Sequence, residues 1–341
     1  MIRQEVVTDN YAIYNSDCMF VLPTLPDRSI DLIVYSPPFA GLYNYSSDEN
    51  DFSNCSTKEE FLEQYDFLVK ETARLIKPGR IVAVHCQDIL VDTTAHNLWD
   101  LPHEIIKIHE KHGFHWKNRI TIWKEPLEVR MRTMVKSLSH KAIVHDCTKA
   151  FTAIPDYLLI FAMRGENEVP VTHENGFTEY AGATPLTPEM AEKYGDWNHI
   201  NIRYAGWKDH RTNKLSHIIW QRYASSVWDD IRGKNVLPFK DSREEDDEKH
   251  VHALQLDVID RVVDMYSNPG ETVLTPFMGV GSEVFSPVSK GRNAIGIELK
   301  DSYFKQAVLN LKEANSRWEA KKQKGLFDEV EASDFVTEEM D

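Results

Sequence analysis

The sequence predicts an α/β protein, a doubly wound and mostly parallel sheet carrying an inserted recognition region. Three observations lead there. Short apolar runs alternate with helix-period segments over roughly the first 165 residues. The same alternation returns near the C-terminal end. Between them, across 165–228, Gly, Pro, Asn, Trp and His are frequent and no period holds.

The first strand of the sheet is expected at 30–35, the apolar run Ile30-Asp31-Leu32-Ile33-Val34-Tyr35. A helix follows over 57–76, opened by the capping-box patterns Ser56-x-x-Glu59 and Thr57-x-x-Glu60 and stopped by Lys77-Pro78-Gly79. Its apolar residues Phe61, Leu62, Tyr65, Leu68, Val69 and Leu75 recur at helical spacing. Residues 81–84 read as a buried strand, 102–112 as a helix ended by Gly113, and 117–123 and 157–163 as strands. The acidic run 241–248 reads as a surface loop. Helix 254–267, the Pro269-Gly270 turn, strand 271–274, helix 282–290, strand 293–298 and helix 301–320 complete the pattern. Residues 1–164 and 229–320 thus form one domain around the 165–228 insert, with 321–341 as an acidic, disordered tail.

A hydrophobic fraction of 42% over 341 residues suffices for a sizeable core. No apolar run reaches the ~18 residues of a membrane span, and the N-terminus lacks the apolar core of a signal peptide, so a cytoplasmic protein is expected. Cys18, Cys55, Cys86 and Cys147 form no C-x-x-C pair, which speaks against a zinc site or a disulfide framework; no metal is expected. None follows a proline, which disfavours attack on a cytosine ring by a Pro-Cys nucleophile. The net charge of −15 argues against nucleic-acid binding until it is mapped. Residues 241–248 contribute −5 and 326–341 contribute −7, whereas 115–149 holds eight Lys/Arg against three Asp/Glu and 198–234 seven against three. Basic surface is therefore local, as one phosphate-facing side requires.

Two segments carry chemistry. Thr275-Pro276-Phe277-Met278-Gly279-Val280-Gly281 follows a strand and opens a helix, so backbone can approach a ligand and a helix N-terminus can receive its polar atoms. Some twenty residues on, Ile295-Gly296-Ile297-Glu298 sets a carboxylate at the next strand's end, where nucleotide-binding sheets bind ribose hydroxyls. The second segment is Ser36-Pro37-Pro38-Phe39. The amino nitrogen of a nucleobase is a poor nucleophile because its lone pair is delocalised into the ring. Two acceptors, the Ser36 hydroxyl and the Pro37 carbonyl, would bind both amino hydrogens and free that pair. The two prolines preorganise the acceptors, and the Phe39 ring offers a stacking face.

With these motifs the chain resembles the amino-group (N4-cytosine or N6-adenine) DNA methyltransferases of the permuted β group. In them the catalytic segment comes first, target recognition lies in the middle and the S-adenosylmethionine segment comes last. Tyr14-Asn15-Ser16-Asp17-Cys18 resembles the family's opening, and the likeness covers roughly 10–165 and 225–310. It implies a Rossmann-like methyltransferase fold, S-adenosylmethionine as cofactor, and site-specific methylation of a base flipped out of double-stranded DNA, as in restriction-modification. It places Asp17, His250, Thr275, Pro276, Phe277, Gly279, Gly281 and Glu298 around the cofactor, and Ser36, Pro37, Pro38 and Phe39 around the base. Asp17 serves equally well as a helix cap, and His250 with His252 as a capping pair. Ser before Pro-Pro is associated with cytosine N4, so cytosine is preferred and adenine N6 is the alternative. Two residues depart from the family: Thr275 stands where Asp or Asn is usual, and Ala253 where Pro is frequent. The loss of charge at Thr275 keeps open a catalytically inactive, DNA-binding relative.

For DNA the candidates are Arg130 and Arg132 in one basic stretch, and Arg203, Lys208, Arg211, Lys214 and Arg222 among the aromatics of the middle region. The same aromatics also suit a small satellite core. Gln323-Lys324-Gly325-Leu326-Phe327 resembles the short peptide that docks on sliding clamps, which would make such a clamp a partner.

Overall fold

The computed structural model describes residues 1–38, 55, 57–92, 97–194, 213–239 and 253–337. In chain order the elements are β1 (Gln4–Val7), β2 (Tyr11–Asn15), α1 (Cys18–Val21), β3 (Ile30–Tyr35), α2 (Lys58–Leu75), β4 (Ile76–Cys86), β5 (Ile89–Asp92), β6 (Asn97–Trp99), α3 (Leu101–Lys111), β7 (Phe114–Ile122), α4 (Pro126–Thr133), α5 (His140–His145) and β8 (Asp156–Met163). There follow α6 (Pro188–Tyr194), α7 (Lys214–Tyr223), β9 (Val227–Trp228), α8 (Leu256–Tyr266), β10 (Thr272–Thr275), α9 (Ser282–Ser289), β11 (Asn293–Glu298) and α10 (Asp301–Thr337).

One large sheet has the order β1-β2-β11-β10-β3-β4-β8-β7-β9. The five strands from β2 to β4 run parallel. β8 is antiparallel to both β4 and β7, and β1 is antiparallel to β2. Both faces are covered, which is why β3 is apolar at successive positions rather than alternating. Ile33 and Tyr35 pack with Phe61, Tyr65 and Leu68 of α2 and Ile105 of α3. Leu32 and Val34 pack on the opposite face with Val258, Ile259 and Val262 of α8. A third cluster joins Ile13 to Val284, Phe285, Phe304 and Ala307 of α9 and α10. The doubly wound, mostly parallel sheet is therefore as the sequence predicts.

Local chemistry explains most of the boundaries. Thr57 Oγ1 accepts from Glu60 N at 3.1 Å, the predicted cap of α2. Asp100 Oδ1 caps α3 by accepting from His103 N at 2.9 Å. Four expectations need correction. β3 is not the first strand, because β1 and β2 precede it and β2 joins the parallel set beside β11. That strand is too short, and its Tyr11-Ala12-Ile13-Tyr14 pattern too mild, to stand out from sequence. Pro78-Gly79 does not terminate α2, which ends at Leu75; the pair lies inside β4, where Gly79 takes φ +72° and a β-carbon would press on the Asn167 backbone. The 123–155 connection carries two helices that sequence reasoning left out. Finally, α10 runs past residue 320 to Thr337, so helical backbone covers most of the acidic segment read as a disordered tail. Among the described residues no helix is long and apolar enough to cross a membrane.

The 165–228 region is tied to the sheet rather than hung from it. Leu215, Ile218, Ile219 and Tyr223 of α7 gather Phe177, Tyr180, Leu186 and Met190 into a satellite core that also touches Met265 of α8. β9 pairs with β7 at the sheet edge. Arg261 of α8 is fully buried at this junction. Its guanidinium donates to Ala181 O at 2.7 Å and Asp230 Oδ1 at 2.8 Å, and lies against the rings of Tyr180, Tyr223 and Trp228. Removing one partner of such a buried pair strands the other. Arg261→Ala is therefore expected to lower stability by about 3–5 kcal/mol, read as a shift of the urea midpoint at unchanged slope.

Candidate active site

The two chemistry-bearing segments leave the sheet at one edge. β3 and β10 are hydrogen-bonded parallel neighbours, with Val273 opposite Leu32 and Leu274 opposite Ile33. Ser36 and the Thr275–Gly281 turn therefore emerge side by side, and the Tyr35 and Phe277 rings meet with centroids 5.9 Å apart. β11 and then β2 continue the same edge, bringing Glu298 and Asp17 to it. This is the carboxyl end of a parallel sheet, where ligands bind in such folds.

Glu298 is held rigidly. Its Oε2 accepts from Gly279 N and its Oε1 from Lys300 N, each at 2.8 Å. A carboxylate oxygen carries more than one lone pair, the acceptor set that ribose hydroxyls require. Asp17 Oδ1 accepts from Met19 N at 2.9 Å and caps α1, so the cap reading of that residue holds at a position on the ligand edge. Gly279 and Gly281 take φ +54° and +97°, which favours glycine, and a β-carbon on Gly281 would press on Ala307. Around this turn, buried polar atoms lack partners among the described residues: Thr275 Oγ1 and Ser282 Oγ. Orphaned hydroxyls at a glycine turn and a helix N-terminus fit a polar ligand such as the nucleoside cofactor. Glu283, next in α9, is buried; burial, reinforced by the nearby Glu298 carboxylate, pushes its carboxyl up to about 8.

The Ser36 end shows a network that sequence reasoning missed. Ser36 Oγ lies 3.2 Å from His85 Nδ1. His85 Nε2 lies 3.4 Å from Asp156 Oδ2, and Lys124 Nζ donates to Asp156 Oδ1 at 2.5 Å and to Gln87 Oε1 at 3.4 Å. Burial pushes the Asp156 carboxyl up, but the Lys124 ammonium and the His85 ring beside it prevail and hold it well below the usual carboxylate range. A carboxylate facing Nε2 favours the proton on that nitrogen, leaving Nδ1 to accept from the Ser36 hydroxyl. Ser36 then presents lone pairs outward, as an acceptor of amino hydrogens must. His85 lies at the end of β4, Lys124 follows β7 and Asp156 begins β8; these strands are neighbours, and Ile122 pairs with Asp156. The one sequence signal was the position of each residue at the end of a predicted strand.

Pro37 and Pro38 follow β3 at this edge, with Pro37 buried. Phe39, His250, Arg203, Lys208 and Arg211 lie outside the described residues, as does His252. Arg130 and Arg132 lie on α4, Lys214 is the exposed first residue of α7, and Arg222 pairs with Asp229 at 2.5 Å and Asp230 at 3.2 Å. The Gln323–Phe327 segment lies on the α10 backbone. Among the described residues no group of three or more His, Cys, Asp or Glu side chains is arranged to hold a metal ion.

Residues 30–309 match the DNA methylase family of N6/N4 methyltransferases. The chain belongs to that family. The type II methyltransferase M.BglII of Bacillus subtilis is 25% identical over 293 residues, a match covering 85% of this chain and 66% of that protein. The chain thus spans just under two thirds of that relative's length. Among solved structures, the DNA modification methylase TTHA0409 of Thermus thermophilus, complexed with S-adenosyl-L-methionine, superposes with TM-score 0.57 at 20% identity and covers 90% of this chain and 96% of its own. The cytosine-N4-specific PvuII DNA methyltransferase superposes with TM-score 0.56 at 13% identity over 94% of this chain and 95% of its own. These likenesses show a shared fold.

Glu283 also yields a stability prediction. A folded pKa of about 8 against an ordinary value of 4.5 means that the folded state keeps a proton which the unfolded state has lost. Stability is full below about pH 4.5, falls as pH rises through that window, and levels off above about pH 8. Glu283→Gln is expected to flatten this decline and to melt above the parent at pH 8, checked by thermal melts from pH 5 to 9.

Proposed function

We propose that the chain is an S-adenosylmethionine-dependent DNA methyltransferase acting site-specifically on the exocyclic N4 of a cytosine flipped out of duplex DNA. Adenine N6 is the second choice. One observation supports this above all: the parallel pairing of β3 with β10, which sets Ser36-Pro37 beside the Thr275–Gly281 turn. When bound, the cofactor supplies an electrophilic methyl group. Glu298 and Asp17 would hold its sugar and polar end, the glycine turn would admit its backbone-facing side, and the Thr275 and Ser282 hydroxyls would find in it the partners they lack among the described residues. Thr275 offers no charge there, and the deeply buried Glu283 is the first acid after it along the chain.

On the base side, Ser36 Oγ and the Pro37 carbonyl accept the two amino hydrogens and turn the nitrogen lone pair outward. The Phe39 ring stacks on the extruded base, offsetting part of the few kcal/mol that extrusion costs. Once the nitrogen has gained its new bond it must lose one proton. Ser36 Oγ takes that proton as its own passes to His85 Nδ1, and the Asp156 carboxylate balances the resulting imidazolium. Lys124 keeps Asp156 ionised throughout. Cytosine is preferred because a short neutral acceptor, Ser36, precedes Pro37-Pro38. Arg130, Arg132, Lys214 and Arg222 are the described basic residues assigned to phosphates, Arg222 being paired with Asp229 and Asp230 as well.

The test is to express the gene in a methylation-free host and sequence the DNA for modified bases. N4-methylcytosine in a fixed motif supports the proposal, N6-methyladenine moves the target to the alternative, and unmodified DNA refutes it. In purified protein, Ser36→Ala is expected to lower the single-turnover rate by about 10²-fold or more, as loss of a preorganised polar contact does. His85→Asn should cost about 10²-fold, as loss of a positioned proton acceptor does, and leave cofactor affinity by calorimetry unchanged.

A further inference from the structure

β7 and β8 are antiparallel neighbours, and their ends Ile122 and Asp156 are paired. A few residues suffice to join such strands. Instead residues 123–155 intervene and carry α4 and α5, neither of which buries a single side chain. The segment begins and ends at the active-site edge, because Lys124 and Asp156 close the network to Ser36.

Its exposed side chains are not those of a solvated loop. Leu127, Met131 and Met134 are 65%, 70% and 66% exposed; Leu127 and Met131 stand one turn apart on α4, and Met134 caps its C-terminal end. Trp123, at the root of the segment, is 50% exposed. Arg130 borders the stripe, its Nη1 3.5 Å from Met134 Sδ. Arg132, Lys136 and Lys141 add positive charge, against the acids Glu125, Glu128 and Asp146, of which Asp146 is paired with Lys149 at 3.1 Å. In a chain of net charge −15, a cationic, apolar-tipped arm at the active-site edge is complementary to a polyanion with an apolar interior.

From this juxtaposition we infer that α4 is the wedge of the enzyme: its Leu127–Met131 face, with Met134 at its C-terminal cap, enters the duplex at the target base pair and fills the space the extruded base leaves, while Arg130 and its basic neighbours hold the flanking phosphates. This rests on the DNA methyltransferase reading above. Apolar side chains inserted between base steps stabilise an unstacked duplex, and the extrusion cost they offset falls when the target base is already unpaired.

The test uses the full-length protein and a duplex oligonucleotide bearing the motif it methylates, fully paired or with an abasic site opposite the target. The double variant Leu127→Ser/Met131→Ser changes only exposed side chains, and its thermal melt should match the parent. Its single-turnover methylation of the paired duplex is expected to fall about tenfold or more, the size of one lost stacking contact. On the abasic-opposed duplex the rate should be close to that of the parent, and Met131→Leu should retain activity on both. An equal loss on both duplexes, or no loss on either, overturns the wedge and leaves the methyltransferase reading standing. If the parent protein methylates neither duplex, the underlying reading falls and the wedge with it.

Discussion

The pairing of β3 with β10 is the constraint on which the site depends. The two strands are separated by some 240 residues of chain, so closing them together carries a large entropic cost. Asp31 offsets part of it at the end of the strands away from the site. Its Oδ2 accepts from Thr272 N at 2.9 Å, the first residue of β10, while its Oδ1 takes Lys77 Nζ at 2.6 Å and Arg80 Nη2 at 3.2 Å. Arg80 also pairs with Glu271, just before β10. A buried carboxylate thus clamps three neighbouring strands in register before any apolar contact is counted. The apolar residues of β3, each contributing about 1.5–3 kcal/mol when fully buried, then fasten both helical layers to the strand.

At the opposite end of the same strands the polar groups are arranged for use. Lys124, Asp156, His85 and Ser36 form a chain from solvent into the cleft, and each link sets the state of the next. The ammonium keeps the carboxylate ionised, the carboxylate lies 3.4 Å from the imidazole, and the imidazole is hydrogen-bonded to the hydroxyl. Around the glycine turn the logic is reversed, because hydroxyls are left without partners among the described residues and a carboxyl is kept neutral by burial. A folded chain tolerates such groups at a place where a ligand completes them.

The insert region and the sheet share one support. Arg261 projects from a helix of the main domain into rings supplied by the 165–228 region, so that region is fixed relative to the active-site edge by a buried cation as well as by strand pairing. The α4–α5 arm has no comparable buried cation among the described residues, and Leu127, Met131 and Met134 remain on its surface although Leu138 is buried.

Periodicity and punctuation in the sequence determined the fold class, most of the strands and helices, the Thr57 cap, the glycine turn with its acid at Glu298, and Ser36-Pro37-Pro38. All of these are local: a strand alternates or is continuously apolar, a helix repeats near 3.6 residues, and a turn needs glycine within a few positions. The limits of local reading are equally specific. Pro78-Gly79 has the signature of a stop but sits within β4, at an irregularity between Ile76, paired with Ile30, and Ile81, from which pairing with both β3 and β8 continues. His85, Lys124 and Asp156 look ordinary one by one, and only the tertiary structure decided that they serve one site. The physical reason is that strand order is a long-range choice, made by packing and loop closure among segments far apart in the chain, and nothing within a short window of sequence records it.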